Sequence, residues 1–197
     1  MSKIDDDDAV QNVARTAQII VGAMAGGVLL FWVIVTVVLP NLGGPRPPAV
    51  AVPGGPQRLL GLPMLTAAAW LFGAGSLAAS LFVPRAVVDS ALKPIAKGVS
   101  VDETKLEDSG LRQIYPASDV GKLLPAYMTQ LIIASALIEG GAFFAAIAYM
   151  LEKHPPSLLL GGALIALLLS RFPTPDRIRA WLDVQLDRLE VLRRDDF

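Results

Sequence analysis

The stretch 124-LPAYMTQLIIASALIEGGAFFAAIAYML-151 contains a single charged residue, Glu139, near its middle. A helix needs about 20 apolar residues to cross a hydrocarbon core of roughly 30 Å, so the stretch predicts a membrane span with Glu139 near the midplane. An ionised carboxyl at that depth costs about 2.5–3.5 kcal/mol on insertion scales. We therefore expect this carboxyl to be neutralised, paired or hydrated, and we take it as the first candidate functional group.

The composition of the whole chain agrees with a membrane protein. Apolar residues make up 53% of the 197 residues and the mean hydropathy is +0.53, whereas soluble domains are usually about 45–50% apolar. The net charge of −1 gives no indication of nucleic acid as a partner. The absence of cysteine and the single histidine, His154, exclude disulfides, thiolate sites and multi-histidine metal sites. We predict no enzyme activity, no cofactor and no metal.

Three further apolar runs predict three further spans, at residues 17–39, 59–83 and 157–172. Together with 124–151 they predict an all-α protein, a four-helix transmembrane bundle that forms a single integral membrane domain over residues 1–197. We expect Pro84 to end the second span, because proline inside a helix removes a backbone hydrogen bond.

Two local features refine the first span. Asp8 is placed to cap a helix that begins near Ala9, since aspartate is a preferred residue at that position. Gly22 and Gly26 stand four residues apart, a spacing of small residues that lets another helix approach closely.

The remaining polar segments are a middle loop at 85–122 and a C-terminal helix at 174–194. The tail has apolar residues at spacings of three and four, interrupted by one glutamine, which predicts an amphipathic helix with one buried face. This stripe consists of Ile178, Trp181, Leu182, Gln185, Leu186, Leu189 and Leu192. Because the charges of the tail nearly balance, we expect it to pack on the protein or on another subunit rather than on anionic lipid.

The distribution of positive charge predicts the orientation. Of the 17 Lys and Arg residues, 14 lie in the N-terminal segment, the middle loop and the tail, and three lie in the other two connectors. The positive-inside rule therefore places both termini and the middle loop in the cytoplasm, in a multi-pass protein of the cell inner membrane.

Glu139 has two interpretations, and Ser135 and Gln130 accompany it on the same helix. It is either a protonated acid that hydrogen-bonds within the bundle or to a partner, or the titrating group of a proton- or ion-coupled transport subunit. The predicted partners are the lipid bilayer and a second copy or another membrane protein. Hydroxyl donors that could reach Glu139 inside the bundle are Ser76, Ser80, Thr66 and Thr36.

Two resemblances accompany these expectations. The segment 136-ALIEGGAFFAAIAYMLE-152 weakly resembles the carboxylate helix of the rotor-ring (c) subunit of rotary ATP synthases, in which a mid-membrane acid lies among alanines. That resemblance implies a proton-carrying role for Glu139. The layout of the chain, with 172-FPTPDRIRAWL-182 after the last span, resembles small polytopic inner-membrane proteins of planctomycete-type bacteria. It implies a membrane location and no activity.

Overall fold

The computed structural model describes residues 3–42, 58–59, 62–97 and 118–195, and nearly all of them are helical. The helical class predicted from the sequence is confirmed. The elements in chain order are α1 (Lys3–Val33), a π-helical turn (Ile34–Val38), α2 (Leu39–Asn41), β1 (Arg58–Leu59), β2 (Leu62–Pro63), α3 (Met64–Ala96), α4 (Asp119–Glu152), α5 (Pro155–Ser170) and α6 (Pro175–Asp195). The two strands pair antiparallel, with Leu59 opposite Leu62.

Three helical segments are long and apolar enough to cross a membrane: Asp6–Asn41, Met64–Ala96 and Asp119–Glu152. A fourth is reached only if α5 and α6, which are bent by 76° at a short break, count together as one span. Alone, α5 has 16 residues, or about 24 Å at 1.5 Å per residue. The described part of the protein therefore has three to four helices able to span a membrane.

The helix α3 does not end at Pro84, so that prediction is wrong. It continues through Pro84 and Pro94 to Ala96. A proline at position 84 has no N–H for the carbonyl of Ser80, four residues earlier. Arg171 supplies the missing donor, because its Nη1 lies 3.4 Å from the Ser80 carbonyl oxygen. A side chain from a distant segment thus satisfies the carbonyl that the proline leaves free.

Other boundaries also differ from the predictions. The helix α1 begins at Lys3 rather than near Ala9, so Asp8 lies inside it. The second predicted span begins at Met64, after the strands, instead of at residue 59. The loop predicted at 85–122 is shorter, because its first residues belong to α3 and its last four to α4, and its middle lies outside the described residues.

The caps of α4 and α6 explain where those helices begin. Ser118 accepts a hydrogen bond at 3.1 Å from the backbone N–H of Gly121, three residues on, as N-cap residues do. Thr174 accepts one at 3.3 Å from the N–H of Arg177. The helix α6 therefore begins within one residue of the predicted tail.

The chain divides into two compact units. The first comprises Met1–Val21, Leu81–Ala134 and Phe172–Phe197. Its core is apolar, and the Tyr127 and Trp181 rings meet edge to face at 5.1 Å. The fully or nearly fully buried side chains of this core include Val13, Ala17, Leu92, Leu123, Leu124, Ile178, Leu182 and Leu189.

Ion pairs join the helices within the first unit. Both guanidinium nitrogens of Arg193 donate to Asp119, at 2.9 and 3.0 Å, and this hydrogen-bonded pairing raises the pKa of Arg193 above its usual value. Arg179 pairs with Asp7 at 3.3 Å. The end of the tail and the start of α4 are therefore held by a bidentate charged contact, a strong type of hydrogen bond.

The second unit comprises Gly22–Ser80 and Ser135–Arg171, and its helices pack closely at glycine. The indole of Trp32 lies directly against Gly161, where a Cβ would collide with it, and its Nε1 donates to the Ala142 carbonyl at 3.3 Å. A Cβ on Gly141 would lie 3.1 Å from Leu164. By contrast, a Cβ on Gly22 or Gly26 would meet nothing within 4 Å, so the close helix contact expected at that pair is not formed within the described chain.

We expect Gly161→Ala to destabilise the protein by about 1–3 kcal/mol, the usual cost of overpacking a close contact, because the new methyl group displaces the Trp32 indole. Gly162→Ala is the matched control, since a Cβ there meets nothing within 4 Å. Thermal unfolding of the purified protein in detergent measures both. Equal melting temperatures for the two variants would contradict the packing described.

Candidate functional site

Glu139 lies on α4 within the second unit, and its side chain is partly exposed. Its neighbours Ile138 and Ala142 are completely buried, so the acid stands at the edge of the packed face. Among the residues that the structure describes, its carboxyl has neither a hydrogen-bond partner nor an ion-pair partner. The cost of placing an acid in an apolar run is therefore not offset within the described chain.

The other two predicted site residues also lack partners, but the structure does not join them to Glu139 by hydrogen bonds. Ser135, one turn before Glu139 in the same unit, is completely buried. Its Oγ has no hydrogen-bond partner within the described ranges. The buried Oε1 of Gln130 likewise has none there. A buried polar atom without a partner loses its hydration, a cost of about 1–3 kcal/mol.

The four hydroxyls predicted as partners of Glu139 do not bond it in the part of the chain that is described. Thr36 donates to the Trp32 carbonyl at 2.7 Å, and Ser80 donates to the Leu77 carbonyl at 2.8 Å. Short hydroxyl side chains in helices often bond the carbonyl three or four residues earlier. The Thr66 hydroxyl donates to a different carboxylate. Ser76 is buried next to Gly141, where a Cβ added to the glycine would lie 3.5 Å from the Ser76 Cβ.

The different carboxylate is Glu152, the last residue of α4. It accepts three hydrogen bonds of 2.7 Å, from the backbone N–H groups of Leu65 and Thr66 and from the Thr66 hydroxyl. The Thr66 hydroxyl also lies 2.9 Å from the Ser157 hydroxyl. The first N–H groups of a helix have no partner in their own helix and carry partial positive charge. Glu152 therefore caps α3 from the end of α4.

The sequence contains a weak signal for this cap. Glu152 directly follows the predicted span 124–151, and Thr66 lies near the start of the predicted span 59–83, which runs in the opposite direction. The two residues are therefore expected on the same side of a membrane. The capping pattern that sequence reading recognises is local, within about four residues, whereas Glu152 and Thr66 are 86 positions apart. Because every oxygen of Glu152 is occupied by helix donors, we assign it a structural role.

The side chains that commonly bind metal ions are dispersed over the described ranges. Nowhere among these residues do three His, Cys, Asp or Glu side chains come close enough together to hold a metal ion. No protein-family model, no curated protein and no solved structure matches the chain. Glu139, the acid without a partner among the described residues, therefore remains the candidate functional group.

We expect Glu152→Ala to destabilise the protein by about 2 kcal/mol, because it removes a charged cap from the N–H groups of Leu65 and Thr66. Glu190→Ala, which removes an exposed acid from α6 whose partner Arg194 lies 3.8 Å away, serves as the control and should change stability little. Thermal unfolding in detergent measures both. A loss no larger than that of the control would show that the cap contributes nothing.

Proposed function

We propose that this protein is a multi-pass component of the cell inner membrane that acts as a structural or accessory subunit. In this proposal Glu139 docks a second transmembrane helix, from another copy of the chain or from a different membrane protein. The proposal has no enzymatic step. The observation that carries it is that Glu139 is partly exposed and has no partner among the described residues.

The surface around Glu139 suits a helix as its occupant. On the outer side of α4, Ala136 and Ile147 are exposed, and a Cβ on Gly140 would meet nothing within 4 Å. Small residues beside the acid let another backbone approach, and apolar residues further along supply packing. A hydrogen bond between transmembrane helices contributes about 0.6–2 kcal/mol. A partner that donates to Glu139 gains this and avoids leaving the acid against lipid.

We extend the proposal to the arrangement of the chain in the membrane. Four helices form the transmembrane bundle, with α5 as a short fourth span, and both termini lie in the cytoplasm. The helix α6 is an amphipathic cytoplasmic helix, supported by the burial of Ile178, Leu182 and Leu189 on one side and the exposure of Val184 and Val191 on the other.

The docking proposal is tested by co-purification from native membranes of a tagged chain expressed with an untagged copy. The wild-type chain should recover an integral membrane partner, either the untagged copy or another protein, in fixed stoichiometry. Glu139→Leu should lower that recovery about tenfold, since one interhelical hydrogen bond is lost. Glu139→Gln, which can still hydrogen-bond, should retain more of it.

Two controls make the co-purification test decisive. Glu190→Leu removes an exposed acid from α6 and should leave recovery unchanged. Thermal unfolding shows whether Glu139→Leu is folded, and the absence of an internal partner for Glu139 predicts that it is. If folded Glu139→Leu recovers as much partner as the wild-type chain does, the docking proposal is wrong.

A second candidate function is a proton- or ion-coupled transport subunit in which Glu139 titrates. It is favoured by Ser135, one turn before Glu139, whose buried Oγ has no hydrogen-bond partner in the described ranges and adds a second unsatisfied polar group to the same helix. Carbodiimide labelling at Glu139 that rises as pH falls, and proton flux into proteoliposomes that Glu139→Gln abolishes, would support it. Undiminished flux in that variant would exclude it.

The proposed orientation has its own test, because the chain contains no cysteine. A membrane-impermeant maleimide added to intact spheroplasts should label Ala51→Cys in the first connector. It should label Ser109→Cys in the middle loop only after the membrane is permeabilised. Labelling of Ser109→Cys in intact spheroplasts would reverse the orientation.

A further inference from the structure

A polar cleft of about 380 Å³ lies within the first unit, between α1 and the start of α6. Its charged lining consists of Arg15 from α1 and of Asp176 and Arg179 from α6. Gln11 and Gln18 complete the polar lining. The cleft therefore offers two guanidinium groups, one carboxylate and two amides within a small volume.

The contacts of these groups show which of them are available to a ligand. Arg179 is oriented by Asp176 at 3.2 Å and by Asp7 at 3.3 Å. The Gln18 amide nitrogen donates to the Pro173 carbonyl at 2.9 Å, so the amide is fixed. Arg15 is exposed and, among the described residues, forms no ion pair. The cleft is thus partly preorganised and retains one guanidinium group for an incoming anion.

The position of the cleft along α1 indicates where such a ligand comes from. Arg15 precedes by two residues the uncharged run that begins at Ala17. Ile19, one turn further on, is 72% exposed. In a chain that spans a membrane, this is the boundary between water and hydrocarbon, where phospholipid headgroups lie and where Arg side chains favour phosphate.

We propose that this cleft binds the headgroup of a zwitterionic phospholipid that carries a primary ammonium, that is, a phosphoethanolamine ester. Arg15, the guanidinium group that forms no ion pair among the described residues, holds the phosphate through charge-assisted hydrogen bonds, and Asp176 accepts from the ammonium. The charges decide between headgroups. Arg179 is shared by two carboxylates, Asp7 and Asp176, so a ligand that brings a cation as well as a phosphate matches the cleft, whereas a purely anionic headgroup leaves Asp176 opposed by like charge. The inference rests on membrane residence and not on docking at Glu139.

Native mass spectrometry of the full-length protein in nanodiscs tests the proposal. The nanodiscs contain equal amounts of phosphatidylethanolamine, phosphatidylcholine and phosphatidylglycerol. The protein should retain phosphatidylethanolamine several-fold over the other two, because the trimethylammonium group of phosphatidylcholine has no N–H donor and phosphatidylglycerol has no cation. Arg15→Gln should lower that retention about tenfold. Asp176→Asn should remove the preference over phosphatidylcholine. Equal retention of all three lipids, or a preference for phosphatidylglycerol, would overturn the proposal.

Matched variants and a soluble competitor separate the remaining possibilities. Arg194→Gln makes the same charge change on α6 outside the cleft and should leave lipid retention unchanged. An equal loss in that variant would show a general charge effect and overturn the site. Displacement of the lipid by glycerophosphoethanolamine at equal concentration would assign the cleft to a free phosphoester instead of a lipid. Glu139→Leu should not alter lipid retention, which keeps this test independent of the docking proposal.

Discussion

A backbone N–H or C=O group in hydrocarbon has no water to bond, so the protein must supply its partner. That constraint explains why the apolar segments of this chain are helical, and it explains two contacts that helix formation alone does not provide. Arg171 bonds the Ser80 carbonyl that Pro84 leaves without a donor. Glu152 bonds the N–H groups at the start of α3. In both cases a charged side chain from a distant segment completes the hydrogen bonding of α3.

The same constraint applies to side chains and separates the two glutamates of α4. Glu152 has all its contacts within the second unit, because it ends the helix beside three donors of α3. Glu139, 13 residues earlier and among apolar neighbours, has none in the described chain. The hydroxyl groups of Thr36 and Ser80 do not donate to Glu139, because each donates to a backbone carbonyl three or four residues earlier in its own helical segment. The same carboxylate group thus has a structural role at Glu152 and lacks a hydrogen-bond partner among the described residues at Glu139.

The sequence predicted those features that depend on local composition. Uninterrupted apolar runs identified the long helices, and the periodic spacing of apolar residues located α6 to within one residue. Prediction from the sequence failed where a contact with a distant segment determines the local structure. No local pattern reveals that Arg171 reaches Ser80 and lets the helix continue through Pro84. Spacing alone drew attention to Gly22 and Gly26, whereas the close contact is at Gly161, against Trp32. Glu139 was found because it interrupts an uncharged run, and Glu152 was missed because an acid at a helix end is common.

Among the described charged groups of the second unit, Glu139 differs from the others in its contacts. Arg171 donates to a carbonyl, Glu152 caps a helix, and the ammonium of Lys153 lies 5.3 Å from the centre of the Tyr149 ring. Each of these groups obtains from the protein the interaction that its charge requires. Glu139 is the exception among them, although it lies deepest in its apolar run and a missing partner is costly there. Within the second unit, the contrast between Glu139 and the other described charges supports the proposal that Glu139 binds a partner outside the chain.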